Sequence, residues 1–207
     1  MNKPPAKAAI IVFPGTNCEQ ETKDACESFG FETSLVWHED EIKDFDLIIL
    51  PGGFSYGDHI SSGRIAKFSP IIEKIKDFKG FILGICNGFQ ILCETGLLPG
   101  ILITNEKLKF ISKTTEINFE GKLLNIPIAH HQGNYFFEEE LPSHIKTFKY
   151  TQNPNGSKHD IAGIWDTAKN IMGLMPHPER AFFEEQNSTD GRVIFEEIKK
   201  VLEKCKK

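Results

Sequence analysis

FILGICNGFQIL, residues 81–92, is the stretch on which the reading of this chain turns. A short apolar run, residues 81–85, stops at Cys86, and a second run opens at Asn87 and continues to about Thr95. Continuous apolar runs of this length suit a strand buried on both faces. The second run suits a helix packed back onto it. Gly84-Ile85-Cys86-Asn87-Gly88 then matches the strand–turn–helix nucleophile elbow, G-x-S-x-G, with cysteine as its central residue. Glycines two positions either side of the thiol let a strained turn and the following helix press against neighbouring chain. A thiol there stands at the carboxyl end of a strand, where open parallel sheets bind ligands, and at a helix amino end, which favours the reactive thiolate.

Outward from this elbow the same grammar repeats. Residues 8–13 (AAIIVF) form a run closed by Pro14-Gly15, residues 33–37 a second strand, and residues 47–50 (LIIL) a third, stopped by Pro51-Gly52-Gly53. Between them, Asn17 with Gln20 three residues on reads as a capping box for a helix ending at Gly30. Ile65, Phe68, Ile71, Ile72 and Ile75 predict another helix over 65–78. Such alternation predicts an α/β fold: an open, mostly parallel, flavodoxin-like sheet with helices on both faces. Residues 108–119 and 145–151 alternate in places and predict antiparallel strands added to one edge, while 161–165 and 171–175 return to short apolar runs. From Asp190 or Gly191 to about Cys205 the chain reads as an amphipathic helix with Val193/Ile194, Ile198, Val201/Leu202 and Cys205 inward, and its basic tail (Lys199, Lys200, Lys204, Lys206, Lys207) suits the negative helix end.

Totals narrow the function. With 207 residues the chain fits one domain over 1–207, and its 40% hydrophobic content with 17 phenylalanines can fill one core. A net charge of −5 leaves no polybasic footprint, which argues against nucleic acid. No apolar segment approaches a membrane span of roughly 18 residues, and the first run is too short and too soon broken by Pro14 for a signal peptide. The expected location is the cytosol. Cys18, Cys26, Cys86, Cys93 and Cys205 are odd in number and show no C-x-x-C pair, so they read as reduced thiols with no metal site. All but Cys86 are read as small hydrophobes.

Two further segments give Cys86 a chemical setting. In LMPHPERA, His177 stands between Pro176 and Pro178, and a residue before proline is pushed to extended geometry. In an extended chain His177 and Glu179 face the same way, so the carboxylate orients one ring nitrogen while the other serves as base. LPGGFSYGDHISSG, residues 50–63, follows the third strand directly. Acyl transfer through a thiolate needs donors for an oxyanion, and the N–H groups of Asn87 and Gly53 are the candidates. Gln90, one helical turn beyond Cys86, can face the same pocket.

Together the elbow, the Gly-Gly loop and the Pro-His-Pro-Glu segment resemble the triad-type (class I) glutamine amidotransferases. The similarity extends through FPGTNCEQE (13–21), PGGFSYGD (51–58), GICNGFQILCETGLLPG (84–100), IPIAHHQGNY (126–135), NPNGSKHDIAGI (153–164) and GLMPHPERA (173–181), in order along nearly the whole chain. The resemblance implies that Cys86 attacks the side-chain amide of glutamine, that His177 transfers protons and that Glu179 orients the imidazole. It also implies substrate contacts at Gly52, Gln90, Gly133 and Asn134. The branch matched works as a short subunit beside a large synthetase subunit and a small accessory one. The synthetase uses ATP and magnesium to turn a formylglycinamide ribonucleotide into an amidine in purine biosynthesis, and no cofactor is implied in this chain, which has no G-x-x-x-x-G-K-[ST] phosphate loop.

One block departs from the pattern: where the family reads His-Gly-Glu-Gly, this chain has His130-His131-Gln132-Gly133. A side chain at 131 is strained if that position needs a positive φ, and Gln132 removes a carboxylate. Two rival readings, a cysteine peptidase or esterase on a similar sheet and a non-catalytic binding module, differ in their need for these blocks and for the triad.

Overall fold

The computed structural model describes residues 4–58 and 63–205. Residues 59–62 of the glycine-rich loop, the tail lysines Lys206 and Lys207, and the side chain of Cys205 lie outside the described set.

The apolar runs become the centre of one sheet. The strands are β1 (Lys7–Val12), β2 (Glu32–Trp37), β3 (Leu47–Leu50), β4 (Phe81–Ile85), β5 (Ile101–Ile103), β6 (Ile111–Phe119), β7 (Lys122–His130), β8 (Asn134–Phe136), β9 (Ile145–Tyr150), β10 (Ile161–Asp166) and β11 (Ile171–Leu174). Nine of them form a sheet in the order β2-β1-β3-β4-β11-β10-β9-β6-β7, and β5 pairs with β8 apart from it. From β2 to β11 neighbours run parallel; from β11 outward they are antiparallel. Every residue of β3, β4 and β11 is buried, as the runs LIIL, FILGI and IMGL require. Helices α1 (Glu19–Ser28), α2 (Pro70–Asp77), α3 (Asn87–Glu94) and α4 (Arg192–Cys205) flank the sheet. α1 and α4 adjoin, with Phe29 against Phe195 at 6.0 Å between ring centroids. α3 packs on the face that Gly84 and Gly173 present, where Leu92 and Phe89 occupy the space a side chain would need.

Three expectations are corrected. The helix expected over 65–78 begins at Pro70, after a single 3₁₀ turn at Ala66–Phe68. Ser69 is extended (φ −70°, ψ 140°), as a residue before proline must be, and Pro70 is the first helical residue; Phe68 therefore faces solvent, 77% exposed. Asn17 does not cap α1. The capping position is Cys18, with no side-chain cap, and Asn17 Oδ1 accepts a hydrogen bond from Cys18 Sγ at 3.2 Å. The strand expected from residue 108 starts at Ile111, because Leu108 turns in the left-handed region with its N–H on Asn105 O.

Pro127 sits inside β7 without breaking the sheet because β7 is the outer edge strand. Cys18, Cys26, Cys86 and Cys93 are buried free thiols. Among the described residues no helix is long and apolar enough to cross a membrane.

The tightest packing lies under the elbow. A Cβ on Gly88 would run into the carbonyl oxygen of Leu50, and one on Gly84 would come within 2.7 Å of the Gly88 carbonyl carbon. Gly30 has a left-handed φ, +93°, but a Cβ there would meet nothing within 4 Å. Gly88→Ala should therefore cost about 2–3 kcal/mol by overpacking, against about 1 kcal/mol of backbone strain for Gly30→Ala. Urea denaturation of the two variants checks the order; equal losses would contradict this packing.

Candidate active site

Cys86 closes β4 with φ 50° and ψ −102°, a conformation that costs on the order of 1–3 kcal/mol for a residue with a side chain. The neighbouring strand holds it there: Cys86 N–H donates to Leu174 O of β11 at 2.8 Å. The thiol is almost wholly buried, 5% exposed, and Sγ lies 3.7 Å from Ala129 O of β7.

β11 carries the chain directly from this contact to the second catalytic candidate. His177 N–H donates to Pro127 O at 2.8 Å, so the outer edge strand, remote from β11 in the strand order, returns to pin the imidazole's backbone. His177 is extended (φ −101°, ψ 90°), as Pro178 dictates, while Glu179 falls in a 3₁₀ turn, Pro178–Arg180, and not in a continued extended chain. The two side chains still meet: His177 Nδ1 bonds Glu179 Oε1 at 2.6 Å, with both side chains sealed from solvent. His177 Nε2 makes no hydrogen bond within the protein and is left for the cavity. Burial disfavours the imidazolium, but the Glu179 carboxylate and the Cys86 sulfur outweigh it and hold the His177 pKa well above its ordinary value.

Cys86 and His177 line one cavity of about 140 Å³, together with Gly53, Asn17, Cys18, Ala129, Arg180, Phe54 and Phe110. Asn87, as the first residue of α3, has an N–H without an intrahelical acceptor. Gly53 holds φ +143°, and a Cβ there would lie 2.8 Å from Asn17 N. The loop is thus pressed onto the turn before α1.

The four residues expected to contact substrate, Gly52, Gln90, Gly133 and Asn134, stand around this cavity as follows. Gly52 gives way to the imidazole: a Cβ would come within 2.7 Å of His177 Cε1 and 3.1 Å of Cys18 Sγ. Gln90 is buried in a relay, accepting from Asn87 Nδ2 at 2.9 Å and donating to Gln132 O at 2.6 Å, while Asn87 Oδ1 accepts from Ser55 N. Gly133 packs against the His130 ring; its N–H donates to Asn105 Oδ1 at 3.0 Å and its carbonyl accepts from Asn155 Nδ2 at 2.7 Å. Asn134 opens β8. His131 has no positive φ and is exposed, so a side chain at that position carries no strain.

Sequence reasoning missed two groups. Cys18, read as a small hydrophobe, faces the cavity and accepts a hydrogen bond from Arg180 Nη2 at 3.2 Å; Arg180 is tied in turn to Glu21 at 2.7 Å. Its signal was proximity in sequence to the Asn17 turn, which gains meaning only once that turn meets the glycine-rich loop. His130 is buried beside the site with its ring nitrogen Nδ1 donating to Asn105 Oδ1 at 3.1 Å, because Asn105 Nδ2 is committed to the carbonyls of Lys109 and His130. Burial, helped by the charge of His177, lowers its pKa to about 4.

Comparison with known proteins follows the same lines. The model of the CobB/CobQ-like glutamine amidotransferase domain matches residues 5–146 and 142–202. Phosphoribosylformylglycinamidine synthase subunit PurQ of Helicobacter hepaticus is 46% identical, over 94% of this chain and 98% of the relative. The protein of the same name from Campylobacter jejuni is 48% identical over 84% and 87%. In the structure of PurLQS from Thermotoga maritima, one chain superposes with a TM-score of 0.90 at 39% identity, covering 96% of this chain and 99% of that one.

His130 sets an acid limit on stability. Its folded pKa of about 4 lies below the ordinary 6.5, so its neutral burial stabilises above pH 6.5 and that contribution is lost as pH falls towards 4. The loss amounts to about 3 kcal/mol. His177, with a raised pKa, works in the other direction: its stabilisation is fully present below its ordinary pKa and is lost only as pH rises. Urea unfolding at pH 7 and pH 4.5 should show the decline in the native protein and a shallower one in His130→Gln.

Proposed function

The chain belongs to the CobB/CobQ-like glutamine amidotransferases, and we propose how its residues carry out the family's chemistry. It is a glutaminase subunit of phosphoribosylformylglycinamidine synthase. The observation that carries the mechanism is a buried thiol and a buried imidazole on one small cavity, with a carboxylate behind the imidazole at 2.6 Å.

Cys86 Sγ attacks the side-chain carbonyl carbon of glutamine while His177 holds the thiol proton. The raised pKa of His177 suits that task. The carbonyl oxygen gains charge and is met by the N–H groups of Asn87 and Gly53, each donor being worth about a hundredfold to a thousandfold in rate. His177 then passes its proton to the departing nitrogen, the carbon–nitrogen bond breaks, and ammonia leaves a glutamyl thioester on Cys86. A water gives a proton to His177 and attacks the thioester carbon; the thiolate departs, glutamate is released, and the proton returns to sulfur. Glu179 holds the ring in the right tautomer and orientation throughout. Gly52, by lacking a side chain, leaves room for the ring, while Gln90 and Gly133 fix the turn at 131–133 through the Asn87–Gln90–Gln132 relay and the Asn105 bond, and Gly133 and Asn134 are the residues we assign to contact glutamine.

Free ammonia in neutral water is mostly protonated and no longer nucleophilic, so its use requires a dry passage to the acceptor. Phe54 and Phe110, on the cavity lining, are 47% and 50% exposed, an apolar rim suited to being covered by a partner. We assign that cover to a large synthetase subunit acting with a small accessory subunit, as the PurLQS assembly of the Thermotoga relative suggests. In this reading the synthetase, using ATP and magnesium, converts formylglycinamide ribonucleotide to formylglycinamidine ribonucleotide. The whole chain acts as one domain, in the cytosol, where reduced thiols persist.

Cys86→Ala should abolish glutamine-dependent synthesis by the complex and leave ammonia-dependent synthesis intact; loss of both would defeat the division of labour. A glutamine-analogue diazoketone should label Cys86, located by peptide mass mapping. Glu179→Gln should lose at least about tenfold less glutaminase turnover than His177→Ala, since an orienter costs less than a base. Equal losses would argue against those roles.

A further inference from the structure

Cys18 belongs to no step of the glutaminase mechanism, yet it is not an inert core thiol. Its Sγ, a nitrogen of His177 and a carboxylate oxygen of Glu179 all lie within 4.8 Å of one another, and all three residues are buried. The donor set of one thiolate, one imidazole and one carboxylate is that of a borderline-soft divalent cation, with ligand bonds of about 2.0–2.3 Å. Tetrahedral bonds of that length separate ligand atoms by roughly 3.3–3.8 Å, so no edge of the cluster needs to contract by more than about 1.5 Å.

Two further observations point to a ligand here. Glu179 Oε2 is sealed from solvent and without a hydrogen-bond partner in the protein, a costly state for a carboxylate oxygen. The guanidinium of Arg180 donates to Cys18 Sγ at 3.2 Å and holds the sulfur in place beside the pair, while the charge of Arg180 is itself neutralised by Glu21. Gly52 makes the arrangement possible, because a side chain there would strike both Cys18 Sγ and the His177 ring.

We propose that Cys18, His177 and Glu179 form a site for Zn²⁺ or a cation of like softness. Binding replaces the thiol proton of Cys18 with a sulfur–metal bond, takes up a lone pair of His177, and releases the displaced protons to solvent. With its lone pair engaged, the imidazole no longer accepts the proton of Cys86. The cation site stands on the side-chain cluster alone; only the expected inhibition rests on the glutaminase reading.

The full chain, free of glutamine, is titrated with Co²⁺ as a spectroscopic stand-in and then with Zn²⁺. One equivalent should bind, with a sulfur-to-cobalt charge-transfer band that Zn²⁺ displaces. Cys18→Ser should lose the band and bind Zn²⁺ at least about tenfold more weakly, and Cys93→Ser, which alters a buried thiol off the cavity lining, should match the native protein. In Cys86→Ser protein, X-ray absorption at the zinc edge should still count one sulfur ligand, a test that leaves Cys18 untouched. No binding, a band that survives Cys18→Ser, or loss of all sulfur ligation in Cys86→Ser would overturn the proposal. Binding without loss of glutamate release would keep the site and reject its role as an inhibitor.

Discussion

The contact on which the site depends is backbone against backbone: the first turn of α3 lies so close to β3 that no atom fits between Gly88 and the carbonyl of Leu50. That approach fixes where the helix begins and therefore how sharply the chain must turn at Cys86. The left-handed φ of the cysteine is held by burial on all sides and by its N–H on Leu174, and the core around β3, β4 and β11 supplies the energy that keeps the strain in place. A looser fit would let Cys86 relax to an ordinary helix start and swing its sulfur away from the cavity.

The second layer is electrostatic. A carboxylate and an imidazole at 2.6 Å, both cut off from water, form a pair that neither partner could sustain singly, because an unpaired buried charge is expensive. Their mutual dependence makes the imidazole a strong proton holder beside a thiol. His130, a few residues along β7, takes the opposite state for the opposite reason: it has only a neutral amide oxygen for a partner and a cation for a neighbour. Two histidines in one small region are thus driven to different charges by what stands opposite them.

Much of this was legible in the residues themselves. The runs LIIL and FILGI gave β3 and β4 to the residue, since a strand buried on both faces has no other appearance. The elbow at Cys86 and the proline-flanked His177 also read directly, because both are local backbone devices. What failed was of another kind. Ser69-Pro70 is a helix start that apolar spacing alone overran, and Asn17 was read as a cap when its oxygen goes to the neighbouring thiol. Cys18, Arg180 and the Asn105–His130–Gly133 bonds join elements far apart in the chain, so no local pattern announces them. The hydrogen bonds of Gln90 and Gly133 within the protein are of the same kind, since Gln132 O and Asn105 Oδ1 lie 42 and 28 residues away in the chain.

The hydrogen bond from His177 to Pro127 has a mechanical meaning. Proline offers the sheet no N–H, so β7 at that residue is tethered by its carbonyl, and the tether ends on His177, the residue we propose as the base. The outermost strand thus reaches the imidazole's backbone by a single bond that bypasses the four strands between β7 and β4, a shortcut across the sheet that the strand order alone does not reveal.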